Sequence, residues 1–178
     1  MKYREICEYF GRKMPCPVEY KDGLEELQRF FDDMGVMYFT AREYATPHHR
    51  GIARQLGYAD GLLIPPPHMW AHLAPCIAAA DRLREVLGAP VACVNGWRPE
   101  DYNKRVDGSK RSDHITAHAV DVKPPPEMMA LATVWAESIL FEDGDRLLMS
   151  LGVGPTRLHI GFRAPVSEEK GYGRHWSY

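Results

Sequence analysis

No two cysteines in this chain have the C-x-x-C spacing of a redox motif or a zinc knuckle. Cys76 and Cys93 lie in apolar surroundings and read as small buried hydrophobes, while Cys7 and Cys16 carry no specific sign of a disulfide or a metal. This usage fits a reduced, intracellular chain. Long apolar runs are also missing. Nothing approaches the ~20 apolar residues of a membrane span, and Met1-Lys2-Tyr3-Arg4-Glu5 opens with charge where a signal peptide would have an apolar core. The chain therefore reads as cytoplasmic as synthesised. The formal net charge is only −2, so the global balance asks for neither nucleic acid nor an anionic membrane. A local basic cluster, Lys104, Arg105, Lys110 and Arg111, reads as a solvated loop ahead of an anion-binding edge. There are no internal repeats.

What is present fits an ordinary globular domain. With 178 residues, 45% hydrophobic and 26% charged, the chain is long enough to bury a real core. Pro65-Pro66-Pro67 is a stiff connector and the one plausible internal boundary. It separates an N-terminal lead-in and helical segment, 1–64, from a core, 65–178, the two read as one compact domain overall.

Residues 1–21 read as an irregular lead-in or short strand because Pro15 and Pro17 interrupt them. Asp22-Gly23-Leu24-Glu25 resembles a capping box, and Leu24, Leu27, Phe30 and Phe31 at helical spacing predict a helix near 23–34 that Gly35 ends. Val36 to Phe39 looks extended, and Thr40-Ala41-Arg42-Glu43 is a second capping box. The apolar face Trp70, Leu73, Ile77, Ala80, Leu83 and Leu87 predicts a long helix that Gly88 stops, with Pro75 either kinking it or marking its start. Strands are expected at 90–94, 119–122 and 158–162, a short polar helix at 99–106, and a second long helix at 127–141. For that helix Met128, Leu131, Val134, Trp135, Ile139 and Leu140 are the available core residues. Helices and strands in irregular order argue for an α+β fold with a small, mainly antiparallel sheet flanked by helices.

Histidines and acids concentrate between Ser112 and Asp121. His114 on a loop and Asp121 on the next strand can converge if the loop folds back, and His159, on a separate strand, is the best third donor. His68 and His72 stand at helical i, i+4 spacing, but no glutamate follows His68 as in H-E-x-x-H, and an ordinary helix start is favoured. The neighbours His48 and His49 point apart on any regular element. His118 has three readings: a replacement ligand, an acid–base group, or a side chain facing solvent or a ligand's outer side. The last is favoured.

Ser112-x-His114-x-x-Ala117-x-Ala119-x-Asp121-Val122 closely resembles the S-x-H-x-x-G-x-A-x-D-V signature of the zinc D-alanyl-D-alanine carboxypeptidase family, whose zinc-site architecture is shared with lysostaphin-type peptidases and the hedgehog domain. Asn95-Gly96-Trp97-Arg98-Pro99-x-x-Tyr102-Asn103 is similar to the family's S-G-Y-R-S-x-x-Y-N segment. Gly152-Val153-Gly154 through Leu158-His159-Ile160 is similar to the strand with the last histidine, and Tyr38 to Glu43 and the 70–87 helix add weaker likenesses. The resemblance spans roughly 36–163.

It implies zinc held by His114, Asp121 and His159, with Arg98 and Ser112 orienting the substrate, and a peptidase acting on peptidoglycan stem peptides or other peptides containing D-amino acids. For Arg98 the competing role is a structural ion pair, for Ser112 loop support, and Asn103 reads as structural. A phage-derived lysis or virion protein would reconcile a wall substrate with the lack of a visible export signal. Two departures stand out. Ala117 replaces a glycine, which is tolerable at a negative φ. Thr156 stands where many members have the acidic general base, three residues before the last histidine, which leaves Glu142, Asp143 and Asp145 as substitutes. A non-catalytic zinc-binding domain of the same fold is therefore the rival expectation.

Overall fold

A computed structural model describes residues 3–140, 150–162 and 174–178. Helix α5 (Trp70–Leu87) is the element on which the other layers pack. Its predicted face, Trp70, Leu73, Ile77, Ala80, Leu83 and Leu87, is buried, and so are Ala74, Ala78 and Ala79 on its flanks. Each large apolar side chain fully buried in this way stabilises the fold by about 1.5–3 kcal/mol. Pro75 lies inside the helix, which runs through it from Trp70 and ends at Gly88 in a left-handed cap.

The N-terminal segment departs from its expected irregular form. Residues Tyr3–Tyr9 make helix α1, with Ile6, Cys7 and Phe10 buried against the core, because Pro15 and Pro17 act only after the helix has closed. Helix α2 (Leu24–Met34) ends at Gly35 as expected, but its N-cap is Gly23 with no side-chain cap bond, so the Asp22 capping box does not form. The Thr40–Glu43 box does form, at the start of α3 (Ala41–Ala45). Val36 to Phe39 joins no strand. Instead the amides of Met37 and Tyr38 donate to the buried carboxylate of Asp81 at 3.0 and 2.7 Å. Arg12 pairs with the same carboxylate at 2.7 Å. Asp81 thus fastens both the lead-in and the 36–39 segment to α5, and removing one partner of such a buried pair costs roughly 3–5 kcal/mol.

Helix α4 (Arg50–Gln55) follows, then α5 and the sheet. The strands are β1 (Ala92–Asn95), β2 (Ala119–Lys123), β3 (Ser150–Val153), β4 (Leu158–Gly161) and β5 (Arg174–Ser177). Their order is β1-β2-β4-β3-β5, antiparallel except for the parallel pair β3–β5. The α+β expectation holds, with a mixed sheet. Along β2 and β4, Val120, Val122, Leu158 and Ile160 join the core. Asp121 and His159, one position out of phase, share the opposite face, where they stand directly across from each other.

Helix α6 (Glu100–Arg105) links β1 to the motif loop, and α7 (Met129–Leu140) follows β2. The expected core face of α7 is partly wrong. Leu131 and Val134 are 53% and 62% exposed, whereas Ala132, Ala136 and Ile139 are buried. Of the expected residues Ile139 is buried and Met128 and Trp135 pack against the core, while Ala132 and Ala136 take the places expected of Leu131 and Val134. Among the described residues no helix is long and apolar enough to cross a membrane. All four cysteines are free, Cys7 and Cys76 buried and Cys16 exposed.

Candidate metal centre

The motif loop owes its shape to a tight 3-10 turn, Asp113–Thr116, closed by Ala117 at φ 58°. The condition under which alanine is readily tolerated there, a negative φ, is not met: Ala117 occupies the glycine-type left-handed region, at a cost of roughly 1–2 kcal/mol for an L-residue. Its amide donates to the His114 carbonyl at 3.2 Å and that of His118 to the Asp113 carbonyl at 2.9 Å. This turn swings His114 back over β2.

His114 is buried and its Nδ1 donates to the Gly96 carbonyl at 2.7 Å. That bond fixes the tautomer and leaves the Nε2 lone pair free to serve as a donor to a metal. Nε2 lies 3.1 Å from Asp121 Oδ1 and 3.2 Å from His159 Nδ1, and the last two atoms are 3.0 Å apart. Ligands on a tetrahedral zinc with bonds of about 2.0–2.1 Å stand about 3.3 Å from one another, so this donor set fits a metal without rearrangement. His114 and Asp121 are also held from behind by hydrogen bonds, whereas His159 Nε2 is buried without one. Asn95 Nδ2 donates to Asp121 Oδ2 at 3.1 Å. Asp113 Oδ2, which accepts from Ser150 Oγ at 3.1 Å, lies 3.9 Å from His159 Nε2.

Burial lowers the pKa of His114, keeping it neutral. Burial also opposes charge on His159 and Asp121, but their partners win. Asp113 and Asp121 raise the pKa of His159, and His114 and His159 hold Asp121 well below the usual carboxylate range. Two neutral-capable imidazoles and an ionised carboxylate are the donor set a divalent metal takes.

The cluster lies at a cavity of about 630 Å³. Arg98 and Ser112 line one wall, with Arg98 Nη2 donating to Ser112 Oγ at 3.0 Å. Arg98 Nε is buried without a hydrogen-bond partner, and among the described residues no carboxylate pairs with Arg98. The ion-pair alternative for this arginine therefore has no partner among them. Asn103 is structural: its Nδ2 donates to the Ser109 carbonyl, and a Cβ on Gly108 would lie 2.1 Å from its Oδ1. Of the basic cluster, Arg111 reaches the cavity wall, so one member of the loop faces the site.

The remaining histidines stay apart from the cluster. His118 is buried, its Nδ1 2.9 Å from Thr116 Oγ1 and its Nε2 2.7 Å from the Tyr3 hydroxyl, so it neither faces solvent nor backs a donor. The rings of His48 and His49 touch edge-on at 4.6 Å where divergence was expected. Thr156 is exposed between β3 and β4, and Glu142, Asp143 and Asp145 lie outside the described residues.

Residues 49–146, more than half of the chain, match the family model for Peptidase M15. The chain belongs to the Peptidase M15 family. Membership makes it a metallopeptidase in class, a metal-binding hydrolase acting on peptides, in line with the resemblance in the motif loop. No curated protein matches the chain. The M15 match contains His114 and Asp121 and ends before His159, whose place beside them comes from the β2–β4 register. Asp113, Asn95, Trp176 and Tyr178 were not singled out as site residues by sequence. Asn95 and Asp113 lie inside the two motif segments, whereas nothing near Trp176 in the sequence signals a role.

Proposed function

We propose that this M15 member is a zinc-dependent peptidase hydrolysing bonds in peptidoglycan stem peptides, of D-alanyl-D-alanine carboxypeptidase or endopeptidase type. The observation that carries this reading is the convergence of His114, Asp121 and His159 donor atoms, all within 4.8 Å of one another, at a cavity large enough for a short peptide. Zinc bound there would supply an activated water and polarise the scissile carbonyl. The chain's own residues do the rest. His114, Asp121 and His159 would hold the ion; the Gly96 carbonyl and Asn95 keep His114 and Asp121 aimed, and Asp113 places a charge 3.9 Å from His159. Arg98 presents a planar, multi-donor guanidinium to a substrate carboxylate or carbonyl, with Ser112 fixing its angle. We also read the two sides of the Pro65–Pro67 connector as one folding unit, supported by a buried cluster that contains Phe30 and Phe31 as well as Trp70 and Ile160.

A second reading, a zinc-binding domain that recognises wall peptides without cutting them or serves as a phage structural part, is favoured by one feature. Thr156 has no carboxylate to accept a proton from water. Incubating zinc-loaded and chelator-stripped protein with purified peptidoglycan separates the two. Peptides released only by the loaded form, seen by mass spectrometry, establish the peptidase. Binding without release establishes the second reading. Purified protein that takes up no stoichiometric zinc, or digests equally well after stripping, defeats the zinc mechanism.

A further inference from the structure

Gly152 and Gly154 lie in and just beyond β3, and neither has the positive φ that would call for glycine. What requires them is the neighbouring strand. In the parallel β3–β5 register Gly152 is opposite Trp176, and the Tyr178 amide donates to the Val153 carbonyl at 3.1 Å. A Cβ on Gly152 would sit 2.7 Å from Trp176 Cε2 and Cζ2, and one on Gly154 2.7 Å from Tyr178 Cε2. The two glycines form a bare floor on which both aromatic rings lie. On the other side, the Trp176 ring centroid is 5.1 Å from that of His159, and the Arg157 guanidinium carbon is 5.1 Å from the centroid of Tyr178.

Trp176 and Tyr178 remain 36% and 47% exposed while lining the metal cavity. Exposed aromatic area beside convergent polar donors is where organic ligands pack. Charge adds a second constraint. Arg98, Arg111 and Arg157 all line this cavity, whereas its two carboxylates, Asp113 and Asp121, are buried against the histidines. The open space thus favours a ligand with both an apolar group and a negative charge.

We propose that β5 is a specificity wall of the peptidase site: Trp176 packs an apolar side chain of the peptide next to the scissile bond, and Tyr178 seats Arg157 to receive a carboxylate of the same peptide. This rests on the peptidase reading above. It gives Arg157, one position past Thr156, a binding role where the family pattern sought a base, and it explains the Gly152-Val153-Gly154 spacing.

The test uses zinc-reconstituted full-length protein and two probes, a stem pentapeptide ending in D-alanyl-D-alanine and its C-terminal amide. Calorimetry gives Kd, steady-state assays give KM and kcat, and metal analysis gives zinc content. Trp176→Ala is expected to weaken Kd and KM for both probes about tenfold with zinc content unchanged, the loss of one packed aromatic. Arg157→Gln is expected to erase most of the preference for acid over amide, an effect that a merely structural role would not produce. Trp176→Phe, which keeps a ring, should restore most of the loss and guards against a folding defect in the alanine variant. Wild-type constants in Trp176→Ala, or an undiminished acid preference in Arg157→Gln, overturn the proposal while leaving the peptidase reading intact. Wild-type protein that loads zinc but neither binds nor cuts either probe overturns both.

Discussion

His114 and His118 stand four positions apart in the motif loop, and both are buried. Their ring nitrogens meet opposite fates. His114 spends Nδ1 on the Gly96 carbonyl and turns Nε2 toward Asp121 and His159. His118 engages both nitrogens, with Thr116 and Tyr3, and its ring stacks on that of His72 at 4.1 Å and 18°. His72 in turn donates Nδ1 to the Thr116 carbonyl at 3.1 Å. Imidazole lone pairs lie in the ring plane, so stacked rings cannot converge on one ion, whereas the edge-on pair His114–His159, at 77°, can. Two clusters with similar composition therefore do different work. One offers donors to a metal, and the other ties the N-terminal helix to the loop.

The largest expected effect breaks the first cluster alone. His114→Ala or Asp121→Ala should abolish zinc binding and hydrolysis together, while His118→Ala should keep stoichiometric zinc. Metal analysis of the three purified variants checks this, and zinc lost equally from His118→Ala would erase the distinction. Next comes Asp113→Asn, which removes the negative charge beside His159 without touching a proposed ligand. Such outer partners are worth about 10–100-fold in metal affinity, measurable by competition with a chromophoric chelator. An unchanged affinity would remove Asp113 from the site.

The pH dependence sharpens the contrast further. In the metal-free protein His159 has a raised pKa, because Asp113 and Asp121 outweigh burial. A folded pKa above the unfolded value of about 6.5 gives stability that is complete below it and lost as pH rises through the folded value. Zinc held by the proposed donors would act in the opposite sense, since it needs the neutral ring. The Tm gap between loaded and stripped protein should therefore widen from pH 6 to 8, and a flat or shrinking gap in thermal melts would contradict the assignment. The smallest effect belongs to the second cluster. His118→Ala removes one hydrogen-bond partner from each of the Tyr3 and Thr116 hydroxyls and should cost about 1–3 kcal/mol in urea unfolding with activity retained. Unaltered stability would show that the stacked pair fastens nothing.

Much of the fold was legible because its signals are local. The α5 boundaries follow from one apolar face and a terminal glycine, and the Thr40–Glu43 box from four residues. Failures came where packing overrode composition. Small alanines, not Leu131 and Val134, face the core on α7, and α1 forms where two later prolines suggested irregular chain. Ala117 shows the limit from another side: the motif identified its position, but only the turn geometry revealed that this residue carries the left-handed backbone.

The sequence by itself determined the donor types and the spacing of His114 and Asp121, since both sit in one short motif whose chemistry is written in adjacent residues. It also supplied His159 as a strand residue, without the register that places it. Tertiary structure decided the rest. Pairing β2 with β4 sets His159 against Asp121, the folding of Asp113 beneath His159 adds a charge 3.9 Å from it, and β5 brings Trp176 and Tyr178 to the cavity from the far edge of the sheet. These contacts join residues far apart in the chain, and hydrogen-bonded register across strands, which no local pattern encodes, is what brings them together.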